Sequence, residues 1–125
     1  MKVFLAFIIS FGLHLSDITG EVASALRQGN ARDLAKHFGN TIDLTVSGKQ
    51  EMYSKAQAEQ VLRGFFLKNP PRSFILKSKS TGNTATPYGI GTYTSTGAQR
   101  FRVYFLVKKI GNQSFIQQLS IENES

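Results

Sequence analysis

Asp43 and Tyr53 are the residues of this 125-residue chain best placed, by type, for proton transfer. A carboxylate or a phenol does that work when it stands in a pocket that shifts its pKa. Asp43 lies in the alternating run Thr41 to Val46, on the side away from the apolar Ile42, Leu44 and Val46. Tyr53 stands just before a helix start. The other carboxylates fall elsewhere. Glu21 and Asp33 sit at helix starts, Glu59 on the polar side of a helix, and Glu51, Glu122 and Glu124 in loops or the tail. Of the two histidines, His14 falls in an N-terminal apolar segment. His37 ends a short helix, where an imidazole pairs with the helix dipole. One such histidine builds neither a metal cluster nor a Ser/His/Asp grouping. The absence of cysteine excludes thiol chemistry and disulfides. No G-x-x-x-x-G-K-S/T phosphate loop is present, and Gly89-Ile90-Gly91 is a G-x-G inside a strand, which reads as a bulge or bend. No cofactor and no metal are expected. The expected role is non-enzymatic binding; acid/base catalysis of the isomerase or dehydratase kind by Asp43 or Tyr53 is the alternative.

The elements that position these residues follow from periodicity. Asp17 to Gln28 reads as a helix capped by Asp17 and stopped by Gly29, with Ile18, Val22, Ala25 and Leu26 on one stripe. Asn30 caps a second short helix, with Asp33 as its box partner, and Leu34, Ala35 and Phe38 face inward before Gly39. Thr41 to Val46 is a strand, Ser47-Gly48-Lys49 a turn, and Glu51 to Tyr53 a short extended piece. Ser54-Lys55-Ala56-Gln57 is a capping box. The helix it opens carries Ala58, Val61, Leu62, Phe65 and Phe66 on one face and ends at Asn69-Pro70-Pro71.

Four strands follow as a meander. Ser73 to Ser80 puts Phe74 and Leu76 on one face, and Lys77 and Lys79 on the other. Thr81-Gly82-Asn83 turns into Thr86 to Ser95, and Thr96-Gly97 turns again. Gln99 to Lys109 is the clearest strand, with Phe101, Val103, Phe105 and Val107 facing the core and Arg102, Tyr104, Leu106 and Lys108 facing away. Gly111-Asn112 is a hairpin signal, and Ser114 to Ile121 closes the set with Phe115, Gln117, Leu119 and Ile121 on one face. Helices on one face of a mostly antiparallel sheet make an α+β domain. A glycine-bent sheet wrapped on an amphipathic helix makes a cone with an internal pocket.

Met1-Lys2 followed by the apolar run Val3 to Ile9 and Phe11-Gly12-Leu13 has the pattern of a secretory signal peptide, so residues 1–16 are read as a leader and 17–125 as the domain. The run falls short of the roughly 20 apolar residues that a membrane span needs. A soluble periplasmic or extracellular product is expected. The net charge is +7, with no Lys/Arg run longer than Lys108-Lys109. That balance suits an acidic partner as well as plain solubility.

Several stretches resemble a bacterial family of small exported domains of unknown function with the nuclear transport factor 2-like cone, the superfamily of ketosteroid isomerase and scytalone dehydratase. They are Ala25-Leu26-Arg27-Gln28-Gly29-Asn30-Ala31, Tyr53-Ser54-Lys55-Ala56-Gln57-Ala58-Glu59, Phe65 to Pro71, Phe101-Arg102-Val103-Tyr104-Phe105-Leu106 and Ile116-Gln117-Gln118-Leu119. The resemblance spans about Asp17 to Glu122 and implies the fold and, through the class, pairing of two copies by the sheet. It implies no activity, because that family has no assigned reaction.

Two sites are expected. Tyr53, Leu62, Phe65, Phe101, Val103, Phe105 and Gln117 line an apolar pocket for a small apolar ligand, unless they simply fill the core. Gln117 and Tyr53 are its polar members. Lys77, Lys79, Arg100, Arg102, Tyr104 and Lys108 form a basic, partly aromatic surface on the opposite face, for a partner or a homodimer. Nucleic acid is not the expected partner, because base stacking needs more exposed aromatics.

Overall fold

The structure, a computed structural model, describes residues 18–80 and 86–124. The expected leader, the Asp17 cap, His14 and the Thr81-Gly82-Asn83 turn lie outside the described residues. Helix α1 (Ile18–Gln28) buries Val22, Ala25 and Leu26, as its stripe requires. Gly29 ends it with φ of 63°, a left-handed conformation that lets the Asn30 amide donate back to the Ala25 carbonyl at 3.0 Å. The Asn30 side chain then accepts from the Asp33 amide at 3.0 Å and starts α2 (Ala31–Ala35).

This helix is shorter than expected, and Phe38 does not belong to it. Phe38 opens strand β1 (Phe38–Val46). The His37 carbonyl accepts from the Ile116 amide at 2.6 Å, so the backbone here is already paired into the sheet and cannot continue a helix. Ser47 and Gly48, with φ of 53° and 84°, make the tight turn into β2 (Lys49–Ser54). Helix α3 (Lys55–Lys68) forms on its capping box: Ser54 Oγ accepts from the Gln57 amide and Gln57 Oε1 accepts from the Ser54 amide, each at 3.2 Å. The meander is β3 (Pro71–Lys79), β4 (Tyr88–Ser95), β5 (Arg100–Ile110) and β6 (Gln113–Asn123).

The sheet order is β2-β1-β6-β5-β4-β3. All neighbours are antiparallel except β1 and β6, which run parallel. The three helices cover one face. Val22, Leu26, Leu34, Leu62, Phe65 and Phe66 from the helices meet Ile42, Leu44, Phe74, Tyr93, Phe101, Val103, Phe105, Ile116, Leu119 and Ile121 from the sheet, all buried. Arg27 of α1 reaches the edge strand, donating from Nε to the Phe74 carbonyl at 3.0 Å.

Gly89 and Gly91 make no bulge toward β5, with which β4 pairs without a register shift. They make room. A Cβ on Gly89 would stand within 3.0 Å of three atoms of the Phe105 ring, and one on Gly91 would meet the Phe74 ring and the Ile75 carbonyl oxygen at 2.5 Å. The irregularities lie on neighbouring strands. On β3 the register shifts between Leu76 and Ser78, so Lys79 pairs with Gly89 and leaves the face on which it was expected. On β6 the pairs Val107 with Ile116 and Leu106 with Gln118 leave Gln117 as an extra residue. Ile116 is therefore the buried residue, while Phe115 turns to the outer face beside Lys108.

Candidate functional site

The inner face is filled by packing. Phe65 on α3 lies edge-on to Phe101 with ring centroids 5.0 Å apart, and 5.5 Å from Tyr93. Phe66 completes the cluster, 6.0 Å from Tyr93. Each such pair adds about 0.5–1.5 kcal/mol beyond area burial. The Tyr93 hydroxyl donates to the Asn69 carbonyl at 2.5 Å, and burial pushes its pKa well above the usual tyrosine range. The side chains expected to line a pocket divide accordingly. Leu62, Phe65, Phe101, Val103 and Phe105 are brought together and buried against one another. Tyr53 sits half-buried at the margin, in register with Ile42. Its hydroxyl pKa is raised, chiefly by a hydrogen bond to Glu51. Gln117 is not among them: the bulge exposes it. Tyr93 and Phe66 do belong to the cluster. Alternation along Tyr88 to Ser95 carries the Tyr93 signal, since Tyr93 keeps phase with Gly89 and Gly91.

The acid/base candidates stand apart from this cluster. Asp43 lies on the outer face of β1, where its carboxylate accepts from Gln50 Nε2 at 3.0 and 3.2 Å. His37 lies in an open cleft of about 270 Å³ between α1 and α2, with Nε2 3.5 Å from Glu21 Oε1. Burial lowers the His37 pKa and outweighs the opposing attraction of Glu21. Lys36 and Asp33 bond to each other across 3.1 Å at the same cleft. Among the described residues no cluster of His, Cys, Asp or Glu could hold a metal ion.

The outer face is built differently. Strand register sets its side chains in rows: Ile75, Thr92, Arg102 and Glu122; then Ile90, Tyr104, Ser120 and Thr45; then Tyr88, Leu106, Gln118 and Asp43. Tyr88, Ile90, Tyr104 and Leu106 are half-buried with no layer above them, and the Tyr88 and Tyr104 rings lie 6.5 Å apart. Between β4, β5 and β6 they leave a groove of about 300 Å³ lined by Ile90, Arg102, Tyr104, Ser120 and Glu122. Arg100, Arg102 and Lys108 are exposed on this face as expected. Lys77 is exposed at the β3 irregularity on the rim. Arg100 is tied to Glu124 at 3.3 Å. Among the described residues Arg102 makes no hydrogen bond or ion pair, although Glu122 faces it in register. The Glu122 carboxylate instead accepts from the Ser120 hydroxyl at 3.3 Å.

Known proteins agree with this architecture. The model of a domain of unknown function, DUF4783, matches residues 19–122. A DUF4783 family protein from Bacteroides uniformis is 25% identical, covers 87% of this chain and 99% of its own, and superposes with a TM-score of 0.81. One from Bacteroides ovatus is 28% identical over 84% of this chain and 94% of its own, with a TM-score of 0.77. A protein of cystatin-like fold from Nostoc punctiforme, 11% identical, covers 86% of this chain and 73% of its own with a TM-score of 0.65, a likeness of fold alone. No curated protein matches the chain. The fold is the α+β cone of the nuclear transport factor 2-like, cystatin-like kind.

Proposed function

The chain belongs to the DUF4783 family, and on that footing we propose that it is an exported, non-enzymatic binding domain that works through the outer face of its sheet. The contrast in packing carries this reading. The inner face spends its aromatics on Phe65, Phe66, Tyr93 and Phe101, which cover one another. The outer face leaves Tyr88, Ile90, Tyr104 and Leu106 half-covered inside a basic rim. Uncovered apolar surface bounded by polar groups is where proteins take partners. The acid/base alternative has no comparable support, since Asp43 is held by Gln50 on the outer face rather than over a cavity. The leader-like residues 1–16 support export, and among the described residues no helix is long and apolar enough to cross a membrane.

Changing Arg100 and Arg102 to Glu together tests the reading. The double variant should fold normally by circular dichroism. It should lose self-association in sedimentation velocity, or lose capture of its envelope partner in a pull-down. If both survive, the outer face is not the working surface. Native mass spectrometry of protein from its own host supplies a second check. A retained small apolar molecule would move the site to Tyr53, Leu62, Phe65, Phe101, Val103 and Phe105 and overturn the proposal.

A further inference from the structure

No Asp or Glu occurs between Glu59 and Glu122, whereas nine lysines and arginines fall from Arg63 to Lys109, in two groups on either side of β4. The interval contains all of β3, β4 and β5. β3 and β5 therefore carry basic side chains with no carboxylate among them, and the carboxylate at the groove, Glu122, comes from β6. Among the described residues Arg102, which lines the groove with Ile90 and Tyr104, makes no hydrogen bond or ion pair.

We propose that this groove takes an acidic polypeptide segment, which lays an apolar side chain on Ile90 and Tyr104 and sets a carboxylate against Arg102. The inference rests on the outer-face reading above and names its partner. A guanidinium presents several N–H donors in one plane, a geometry that suits a carboxylate with two acceptor oxygens. Ile90 and Tyr104 in the same groove ask for an apolar side chain next to that carboxylate, which an acidic polypeptide supplies at neighbouring positions. Glu122, in register beside Arg102, repels a dense polyanion and tolerates a single carboxylate.

Other occupants fit less well. A second copy of the chain would bring carboxylates already engaged, Asp43 with Gln50, Glu124 with Arg100 and Glu122 with Ser120. It would also bring its own arginines against these. Stacked bases need open ring faces, and Tyr88 and Tyr104 are half-sunk beside each other. A lipid surface needs several protruding apolar anchors together, whereas Ile90 and Tyr104 in the groove are half-buried and the exposed Ile75 stands apart on the edge strand.

The test uses a fluorescein-labelled peptide with one phenylalanine flanked by glutamates, read by anisotropy and by amide chemical shifts of the full chain. It should bind, shift Ile90, Arg102, Tyr104, Ser120 and Glu122, and weaken as salt rises. Arg102→Glu should weaken it on the order of tenfold, and Arg102→Lys should restore part of the loss. A peptide with lysines for the glutamates should not bind, and one with glycine for the phenylalanine should bind more weakly. Unchanged affinity in Arg102→Glu, shifts elsewhere, or equal binding of the lysine peptide overturns the inference. So does preferential binding of a heparin fragment or of phosphatidylglycerol vesicles at the same residues. If the acidic peptide fails while the Arg100→Glu, Arg102→Glu double variant still abolishes association, the outer-face reading stands and this inference falls. If both fail, both fall.

Discussion

Phe105 and Tyr104 are neighbours on β5 and meet opposite surroundings. Phe105 is fully buried, with its ring over Gly89 and in register with Leu119. Tyr104 is half-covered, in register with Ile90 and Ser120, and has solvent above it. The inner face of the sheet is specified by shape, and each ring has a place made for it by a glycine or another ring. The outer face is specified by charge and by what it leaves uncovered. Shape-dependent surfaces lose stability when altered; charge-dependent surfaces lose binding. Substitutions on either side of one strand separate the two.

The largest effect is expected inside. Phe105→Ala leaves a ring-sized void beneath Gly89 and should cost about 3–5 kcal/mol, read from urea unfolding. A loss below about 1 kcal/mol would mean that the inner face is loosely filled. Gly91→Ala tests the same face in the opposite sense, by overfilling. Its methyl meets the Phe74 ring and the fixed Ile75 carbonyl oxygen, and about 1–3 kcal/mol should be lost. His37 comes next, because it mixes burial and charge in one side chain. Its folded pKa lies below its ordinary value of 6.5. The folded form therefore binds fewer protons than the unfolded chain, so this contribution is present above 6.5 and is lost as pH falls from there through the folded pKa. Urea midpoints between about pH 7 and pH 5 should fall more steeply for the native chain than for His37→Gln. Equal slopes would show that the imidazole is freely solvated. The smallest effect is expected outside: Arg102→Glu should change stability by no more than about 0.5 kcal/mol. A larger loss would mean that Arg102 supports the fold, and the division between the faces would fail.

Residues whose neighbours lie close in the chain were readable from sequence. The Ser54 and Gln57 box, the stripe of Ala58, Leu62, Phe65 and Phe66, and the Asn69-Pro70-Pro71 stop are all local, and α3 forms as expected. The two faces of β5 were readable because alternation persists across the whole strand. Gln117 was not. Its exposure depends on an extra residue where β6 pairs with β5, and nothing near Gln117 marks that pairing. Lys79 left the basic face for a similar reason on β3. Phe38 looked helical because its spacing from Leu34 is helical, but β6 claims the adjacent backbone. Gly89 and Gly91 were recognisable as unusual, yet their reason lies in the rings of Phe105 and Phe74 on two other strands. The basic surface was visible as residue types, whereas its groove required the rows that register creates.

The parallel pairing of β1 with β6 also governs how the fold is reached in time. It joins Leu44 to Leu119 and Val46 to Ile121 and places β6 in the interior of the sheet, between β1 and β5. β6 follows every other element along the chain. A chain that has folded only as far as β5 holds the β1–β2 hairpin and the β3–β5 meander, bridged by the helices but each with an open edge. Setting β6 between them orders contacts between segments far apart in the chain. Folding should therefore fall in the slow regime of domains rich in distant pairings, milliseconds and longer, with formation of the β1–β6 ladder as the committed step.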